Sequence, residues 1–333
     1  MIRQVAILGG GGWGTALGVH LARAGHDVRL WARDAALVED MRARHANAVY
    51  LPDVRFPDAL TVTNDLPQAL DGSGLVVAAI PSHGTREILR DAAPHVRAGA
   101  LVVSATKGLE QDTLFRVSEI IRQELKTGVS IAVVSGPSFA AELARRLPTA
   151  VSVASNDPGA VERVQADFRA PNFRLYGTDD VLGVEIGGAL KNVIAIAAGV
   201  VEGLGLGHNA LAGLITRGLA EISRVACAAG AKRETLAGLS GLGDLVLTCT
   251  GALSRNRHVG LELASGRPLQ DILAGMKMVA EGVRTTEAAL ALAARHGVEM
   301  PIAVQVAELL AGRKDARTAL EELMLRPQRS ETG

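Results

Sequence analysis

Val5-Ala6-Ile7-Leu8-Gly9-Gly10-Gly11-Gly12-Trp13-Gly14 is the stretch that decides the fold of this chain. Val5–Leu8 is a short apolar run of strand type, and Thr15–Ala24 reads as a helix. Between them, Gly9, Gly11 and Gly14 satisfy the G-x-G-x-x-G spacing. The first glycine permits a tight turn, the second lets the backbone approach a pyrophosphate, and the third lets the helix pack on the strand. The helix N-terminus then presents unpaired N–H groups and the positive end of its dipole to an anion. A glycine-rich turn without a ligand is the alternative, and the strand and helix on either side weigh against it.

Outward from this turn, apolar runs recur at Val28–Trp31, Leu75–Ala79, Leu101–Ser104, Ile131–Val134, Ala150–Val153 and Phe173–Tyr176. Amphipathic stretches such as Thr113–Leu125 and Gly159–Phe168 lie between several of them. Strand–helix alternation of this kind predicts βαβ units and a mostly parallel sheet. Past about Val181 the strand signals stop, and helical patterns follow at Val184–Val201, Asn209–Ala229, Val283–His296, Ile302–Ala311 and Ala316–Leu323. The expected fold is α/β: a Rossmann-like, mostly parallel sheet domain over 1–182, an all-helical C-terminal domain over 183–326, and a polar tail over 327–333.

Composition narrows the function. The 333 residues suggest two domains. Apolar residues make up 48% and aromatics only 3%, so small aliphatic side chains must do the packing, as suits parallel strands covered by helices. Lys plus Arg equals Asp plus Glu, 35 each, which leaves no basic field for nucleic acid. Cys227 and Cys249 sit in no metal-ligand spacing and read as reduced thiols, so no metal site is expected. The first strand begins too early to leave room for a signal peptide, and the longest apolar run, Val193–Val201, is too short to span a bilayer. The expectation is a cytoplasmic protein without membrane insertion.

The second strand ends Trp31-Ala32-Arg33-Asp34. An arginine at that point suits the 2′-phosphate of NADP, and an acidic residue suits the ribose of NAD. Arg33 favours NADPH with NADH tolerated, while Asp34 serves a ribose or caps the next helix. Arg33 as a solvated surface charge is the other reading. The loops after later strands hold Ile80-Pro81-Ser82-His83, Ala105-Thr106-Lys107-Gly108-Leu109 and Ser135-Gly136-Pro137-Ser138-Phe139-Ala140. Ligands bind at such strand ends. Pro137 is expected just inside a helix start. Lys107, alone in its loop as a charge, faces either an anionic ligand or solvent.

Lys191 stands inside the apolar helix Gly187–Ile196. A buried lysine is costly unless paired or functional. Desolvation and a second cation such as Lys107 would lower its pKa toward the range a general base needs. The competing reading is a stem in the core with its ammonium at the surface. Gly241–Thr248 combines glycines with Asp244, and Ser254-Arg255-Asn256-Arg257 sets hydroxyl, guanidinium and amide donors side by side, as a phosphate site requires, or caps a helix with a solvated arginine pair. Val279-Ala280-Glu281 brings a carboxylate before a helix, where a cap or dipole role is the plain option.

Together, GGGGWGTAL at Gly9–Leu17, ATKGL at Ala105–Leu109, SGPSFAAE at Ser135–Glu142, LKNVIAI at Leu190–Ile196 and LITRGLAEISR at Leu214–Arg224 resemble one family, as do GLGDLVLTCT at Gly241–Thr250, SRNR at Ser254–Arg257 and VEMPI at Val298–Ile302. It is the bacterial-type NAD(P)-dependent glycerol-3-phosphate dehydrogenases, and the segments span nearly the whole chain in order. The resemblance implies reversible hydride transfer between NAD(P)H and dihydroxyacetone phosphate, giving sn-glycerol 3-phosphate for glycerophospholipid synthesis. It implies Lys191 as general base or acid. It places Lys107, Gly136, Ser138, Asp244, Ser254, Arg255 and Asn256 at substrate-contact positions. Gly12, Trp13, Arg33, Lys107, Ala140, Arg255, Val279 and Glu281 match cofactor contacts beside the glycine turn itself. Position 12, often serine in the family, is glycine here. A homodimer is expected from a helical half rich in Ala and Leu. Two other readings fit the same plan: a β-hydroxyacid dehydrogenase with a carboxylate substrate, and a dinucleotide-sensing regulator that would not need Lys191.

Overall fold

The structure is a computed structural model and describes residues 3–125, 128–276, 278–328, 330 and 331. Met1 and Ile2, which lead into the first strand, and Arg329, Thr332 and Gly333 of the expected tail lie outside the described residues. In the N-terminal half the chain runs through β1 (Gln4–Leu8), α1 (Gly12–Arg23), β2 (Asp27–Trp31), α2 (Ala35–Arg44), β3 (Ala46–Asn47), β4 (Leu51–Arg55), β5 (Leu60–Thr63) and α3 (Leu66–Leu70). It continues through β6 (Leu75–Ala78), α4 (Thr85–Ala92), β7 (Leu101–Ser104), α5 (Val117–Glu124), β8 (Ser130–Ser135), α6 (Ala140–Ala144), β9 (Thr149–Ala154), α7 (Pro158–Asp167) and β10 (Phe173–Thr178).

Among the described residues these form an eight-stranded sheet ordered β10-β9-β8-β7-β6-β1-β2-β5, with β3 and β4 as a separate antiparallel pair. Every neighbour in the large sheet is parallel except β8 and β9. A parallel return needs a crossover the length of the sheet. The link from β8 to β9 carries only the five-residue α6, so β9 starts at the edge where β8 stopped. From β1 the chain builds outward to β2 and β5, then restarts on the other side at β6. That reversal opens a crevice at the carboxyl ends of β1 and β6, the usual ligand position in such sheets. The central strands β6 and β7 are buried at every position because both faces of the sheet are covered there, whereas β10 at the edge alternates buried and exposed residues.

The C-terminal half is helical: α8 (Val181–Gly203), α9 (Gly207–Ala228), α10 (Arg233–Ala237), α11 (Asp244–Thr250), α12 (Arg255–Ala264), α13 (Leu269–Ala274), α14 (Glu281–Arg295), α15 (Pro301–Leu310) and α16 (Ala316–Met324). A π-helical turn over Leu239–Gly243 precedes α11. The central helix α8 is buried from Gly183 to Val201, with the other helices packed round it. Gly199 and Gly260 let α12 lie directly on it. A Cβ at Gly199 would overlap the carbonyl oxygen of Arg257, and one at Gly260 would overlap that of Ile196. With its 23 residues, α8 is the one helix among the described residues long and apolar enough to cross a membrane, and it is buried inside the protein. The apolar stretch is thus longer than the run Val193–Val201 suggests, because Lys191 and Asn192 sit within it.

Other elements depart from the sequence pattern. Strands β3, β4 and β5 were not expected; helix α2 was foreseen only through Asp34 as a cap, because it buries only Val38 and Met41 and so has no apolar stripe to detect. Helix α1 starts at Gly12 instead of Thr15. Helix α5 starts at Val117, not Thr113, because Leu114 takes a left-handed φ of 62° and Leu109 bridges Arg116. Pro137 is not in a helical first turn: α6 begins three residues later, at Ala140.

Candidate functional site

The glycine turn forms the floor of the crevice between β1 and β6. Gly9 has φ +123° and sits so close to β6 that a Cβ would overlap the Ala79 carbonyl oxygen, while a Cβ on Gly14 would overlap that of Gly9. Gly11 behaves oppositely. It is the N-cap of α1, has no side-chain cap, and nothing lies within 4 Å of where a Cβ would point. The turn is therefore packed at both ends and open in the middle, beside free helix N–H groups. Trp13 adds a buried indole Nε1 with no hydrogen-bond acceptor in the protein. An open helix N-terminus and an orphaned donor fit a dinucleotide. A Cβ on Gly12 would lie 2.9 Å from the Tyr50 carbonyl oxygen, which is a physical reason for glycine at that position. Buried Asn47, not singled out in the sequence, holds the turn by donating from Nδ2 to the Gly10 carbonyl and to Thr15 Oγ1, each at 2.9 Å.

At the far end of the crevice Arg33 is 74% exposed, and its guanidinium stands 3.9 Å from Glu87. It is free to meet a ligand. Asp34 caps α2, accepting from the N–H groups of Ala36 at 2.9 Å and Leu37 at 3.2 Å. Ala140, at the start of α6, packs against the sheet core.

Where the sheet meets the helices, the candidate charges converge. Lys191 is buried at the middle of α8, and its ammonium donates to Asp244 Oδ1 and, at 2.8 Å, to Thr248 Oγ1. Asp244 Oδ2 accepts from Lys107 Nζ at 2.6 Å. Lys107 also donates to the Gly136 carbonyl at 3.0 Å and approaches Ser138 Oγ at 3.5 Å. Two lysines thus share one carboxylate that is 1% exposed, so with both ammonium groups protonated the cluster has one positive charge in excess. Burial pulls the Lys191 pKa down to about 7; Asp244 opposes this, and the cation of Lys107 reinforces it. The π turn ending at Gly243 aims Asp244 inward, and Thr248, one helical turn on, donates its own proton to the Asp244 carbonyl at 2.6 Å. The solvated-ammonium reading of Lys191 and the surface reading of Lys107 both fail here.

The remaining candidates lie alongside. Ser254 is the N-cap of α12 and accepts from Arg257 N–H at 3.2 Å, so its hydroxyl has the local role that the sequence left open. Arg257 pairs with Glu202. Arg255 is exposed and donates from Nη1 to the Val279 carbonyl at 2.6 Å. Buried Asn256 donates to Asn192 Oδ1 at 3.0 Å and accepts from Gly282 N–H at 2.9 Å. Glu281 opens α14, yet its carboxylate is turned to the sheet domain and accepts from Ser82 Oγ at 2.6 Å. Sequence reading attached no role to Ser82, Thr248 or Asn192. Among the described residues no group of three or more His, Cys, Asp or Glu could hold a metal ion.

Comparison with known proteins agrees along the whole chain. Residues 4–161 match the family described as NAD-dependent glycerol-3-phosphate dehydrogenase N-terminus, and residues 180–321 match the corresponding C-terminus. The chain is 51% identical to a glycerol-3-phosphate dehydrogenase (NAD(P)+) of Geobacter sulfurreducens, covering 99% of both chains. It is also 51% identical to one of Koribacter versatilis, covering 98% of both. A crystal structure of glycerol-3-phosphate dehydrogenase from Coxiella burnetii superposes with a TM-score of 0.94 at 42% identity, over 98% of this chain and 99% of that one. A glycine turn open to a dinucleotide, a buried lysine pair on one aspartate and these likenesses lead to one conclusion: the chain belongs to the NAD-dependent glycerol-3-phosphate dehydrogenase family.

Proposed function

We propose that this protein reversibly reduces dihydroxyacetone phosphate to sn-glycerol 3-phosphate, for glycerophospholipid synthesis, with NADPH preferred over NADH. The observation that carries the reading is the buried Lys191, sharing Asp244 with Lys107 at the carboxyl edge of the sheet. The family favours this substrate over a β-hydroxyacid, and a sensor would have no use for a buried lysine of lowered pKa.

The bound nicotinamide supplies the hydride. The turn at Gly9, Gly11, Gly12, Trp13 and Gly14 would hold its pyrophosphate, Arg33 a 2′-phosphate, and Lys107, Ala140, Arg255, Val279 and Glu281 the remainder. Lys191 then handles the proton. As an ammonium it donates to the developing C2 alkoxide during reduction, and as an amine it takes the C2 hydroxyl proton during oxidation. A pKa of about 7 leaves both forms populated near neutrality. Lys107 stabilises charge on the C2 oxygen, with Gly136 and Ser138 lining its loop, and Asp244 fixes both ammonium groups. Arg255 has guanidinium donors beyond the one given to Val279, and with Asn256 and the Ser254 turn it would grip the phosphate. That remote grip positions C2. We further propose a cytoplasmic homodimer, supported by α9, where Leu211, Leu214 and Ile215 are only partly buried, and by exposed Leu206 at its start.

The test is oxidation of NADPH and of NADH, followed by absorbance, with dihydroxyacetone phosphate and purified protein. Turnover that disappears in Lys191→Ala is the expected result. No turnover from folded protein that binds NADPH overturns the assignment.

A further inference from the structure

Ser82, Gly108 and Glu281 come from separate parts of the chain and meet at one point. Ser82 follows β6, Gly108 follows Lys107 in the loop after β7, and Glu281 opens α14. Ser82 Oγ donates to Glu281 Oε2 at 2.6 Å, and the Ser82 backbone N–H donates to Oε1 at 3.2 Å. One buried residue thereby engages both oxygens of a carboxylate 199 positions away. Gly108 closes the third side. It has φ +154°, and a Cβ there would come within 2.6 Å of Ser82 Cβ and 3.4 Å of Glu281 Oε2. No larger residue fits between the lysine loop and this contact.

The connection continues into the helical half. Gly282, next to Glu281, donates its N–H to Asn256 Oδ1 at 2.9 Å, and Asn256 Nδ2 donates to Asn192 Oδ1 at 3.0 Å. Asn192 directly follows Lys191 on α8. An unbroken path of short bonds therefore joins a loop on the cofactor side of the crevice to the helix that carries the base. It crosses between the two halves at Ser82 and Glu281, where the hydroxyl–carboxylate bond is the shorter of two and, being charge-assisted, stronger than a neutral one; the backbone N–H bond at 3.2 Å is the other.

We infer that Ser82 is a positioning residue for hydride transfer: through Glu281 it fixes the register of the cofactor-binding loops against the Lys191 helix. The inference rests on the dehydrogenase reading above, in which Glu281 touches the cofactor. Ser82 has no hydrogen bond to Lys107, Lys191, Asp244, Arg255 or Asn256, so its loss removes no bond of the proton machinery or of the phosphate grip. What changes is the placement of Glu281, and with it the distance and angle at which the two reacting carbons meet. Misplacement of about 1 Å is enough to cost on the order of a hundredfold in rate.

The experiment uses full-length Ser82→Ala, Ser82→Cys, Glu281→Gln and the Ser82→Ala/Glu281→Gln double variant. Cysteine fills the serine volume but is a weak donor, so it separates the bond from the packing. Melting temperature, the KM values of NADPH and of dihydroxyacetone phosphate, and the deuterium isotope effect with C4-deuterated NADPH are measured on each. In both Ser82 variants the KM of NADPH rises about tenfold, as expected for loss of a hydrogen bond to a charged group. The isotope effect also grows and the melting temperature falls by no more than a few degrees, while the KM of dihydroxyacetone phosphate stays near wild type. The double variant is no worse than Glu281→Gln alone, because the two residues act as a unit. Additive losses, equal rises in both KM values, or wild-type cofactor KM and isotope effect in Ser82→Cys overturn the inference. If the wild type itself fails to turn over dihydroxyacetone phosphate, the functional reading has failed instead. Calorimetric NADPH binding to Ser82→Ala then decides the inference, which falls if the affinity matches wild type.

Discussion

Lys107 and Lys191 bind opposite oxygens of the Asp244 carboxylate, although 84 positions separate them in the chain and they come from opposite halves of the fold. The arrangement sets their charges against each other. Burial pushes the Lys191 pKa down most strongly, Asp244 pushes it up, and Lys107 adds to the fall, which prevails.

The pH profile of kcat/KM reads this balance. Oxidation of glycerol 3-phosphate needs the Lys191 amine, so kcat/KM rises with pH through about 7 and then levels. Lys107→Met removes a repelling cation and moves this limb to higher pH. Asp244→Asn removes the stabilising anion and moves it to lower pH. Shifts of the same sign in the two variants would contradict the shared-carboxylate account.

The glycine turn yields a paired prediction. Gly11 faces open space, whereas a Cβ on Gly14 would overlap the Gly9 carbonyl. Gly11→Ala therefore keeps the wild-type melting temperature but weakens NADPH binding, because the methyl group occupies the phosphate approach. Gly14→Ala lowers both, with about 1–3 kcal/mol of stability lost to overpacking. Thermal melts and calorimetric titration distinguish the two, and a stable Gly14→Ala would refute the packing argument.

How much of this was legible in the sequence follows from the range of the signals. The glycine turn and its flanking strand and helix are contiguous, and their physics is local. Lys191 was legible because a lysine inside an unbroken apolar helix demands an explanation. In its own segment Asp244 was visible only as a polar residue among glycines, and the family resemblance placed it at a substrate-contact position; its aim depends on the π turn at Leu239–Gly243, which no periodicity announces. Thr248, Ser82 and Asn47 are ordinary polar residues until the fold brings Lys191, Glu281 and Gly10 to them. Pro137 was misread because proline favours a helix start only where a helix begins, and α6 begins later. Glu281 illustrates the same limit. Its position suggested a dipole role at α14, and the structure spends its carboxylate across the crevice on Ser82.

Cofactor choice is tested at Arg33. Its side chain is mostly exposed and its nearest carboxylate, Glu87, stands at 3.9 Å, so removing it leaves folding unaffected. If it holds a 2′-phosphate, Arg33→Ala loses a charge-assisted bond of about 1.5–3 kcal/mol, or roughly tenfold or more in the KM of NADPH, with the KM of NADH unchanged. Parallel changes in both KM values would remove Arg33 from the account of specificity.

Two buried groups also make stability depend on pH in opposite directions. Glu221 accepts from the N–H groups of Ile302 at 2.8 Å and Ala303 at 3.4 Å, at the start of α15. Burial raises its pKa to about 7 despite these bonds. The folded state then holds a proton that the unfolded state has lost between pH 4.5 and about 7, so this group's contribution falls as pH rises through that window. Its full size is on the order of 3 kcal/mol, from a shift of about two and a half units. Lys191 is lowered to about 7 from 10.5, so the unfolded state holds the extra proton and stability rises with pH between those values. Glu221→Gln, compared with wild type by denaturant unfolding, should therefore gain relative stability as pH climbs from 4.5 to 7 and hold a constant difference above it. Lys191→Met should show its greatest relative stability at and below about pH 7 and lose that advantage as pH rises toward 10.5. A difference curve that stays flat across its own window would show that the group ionises alike in the folded and unfolded chain.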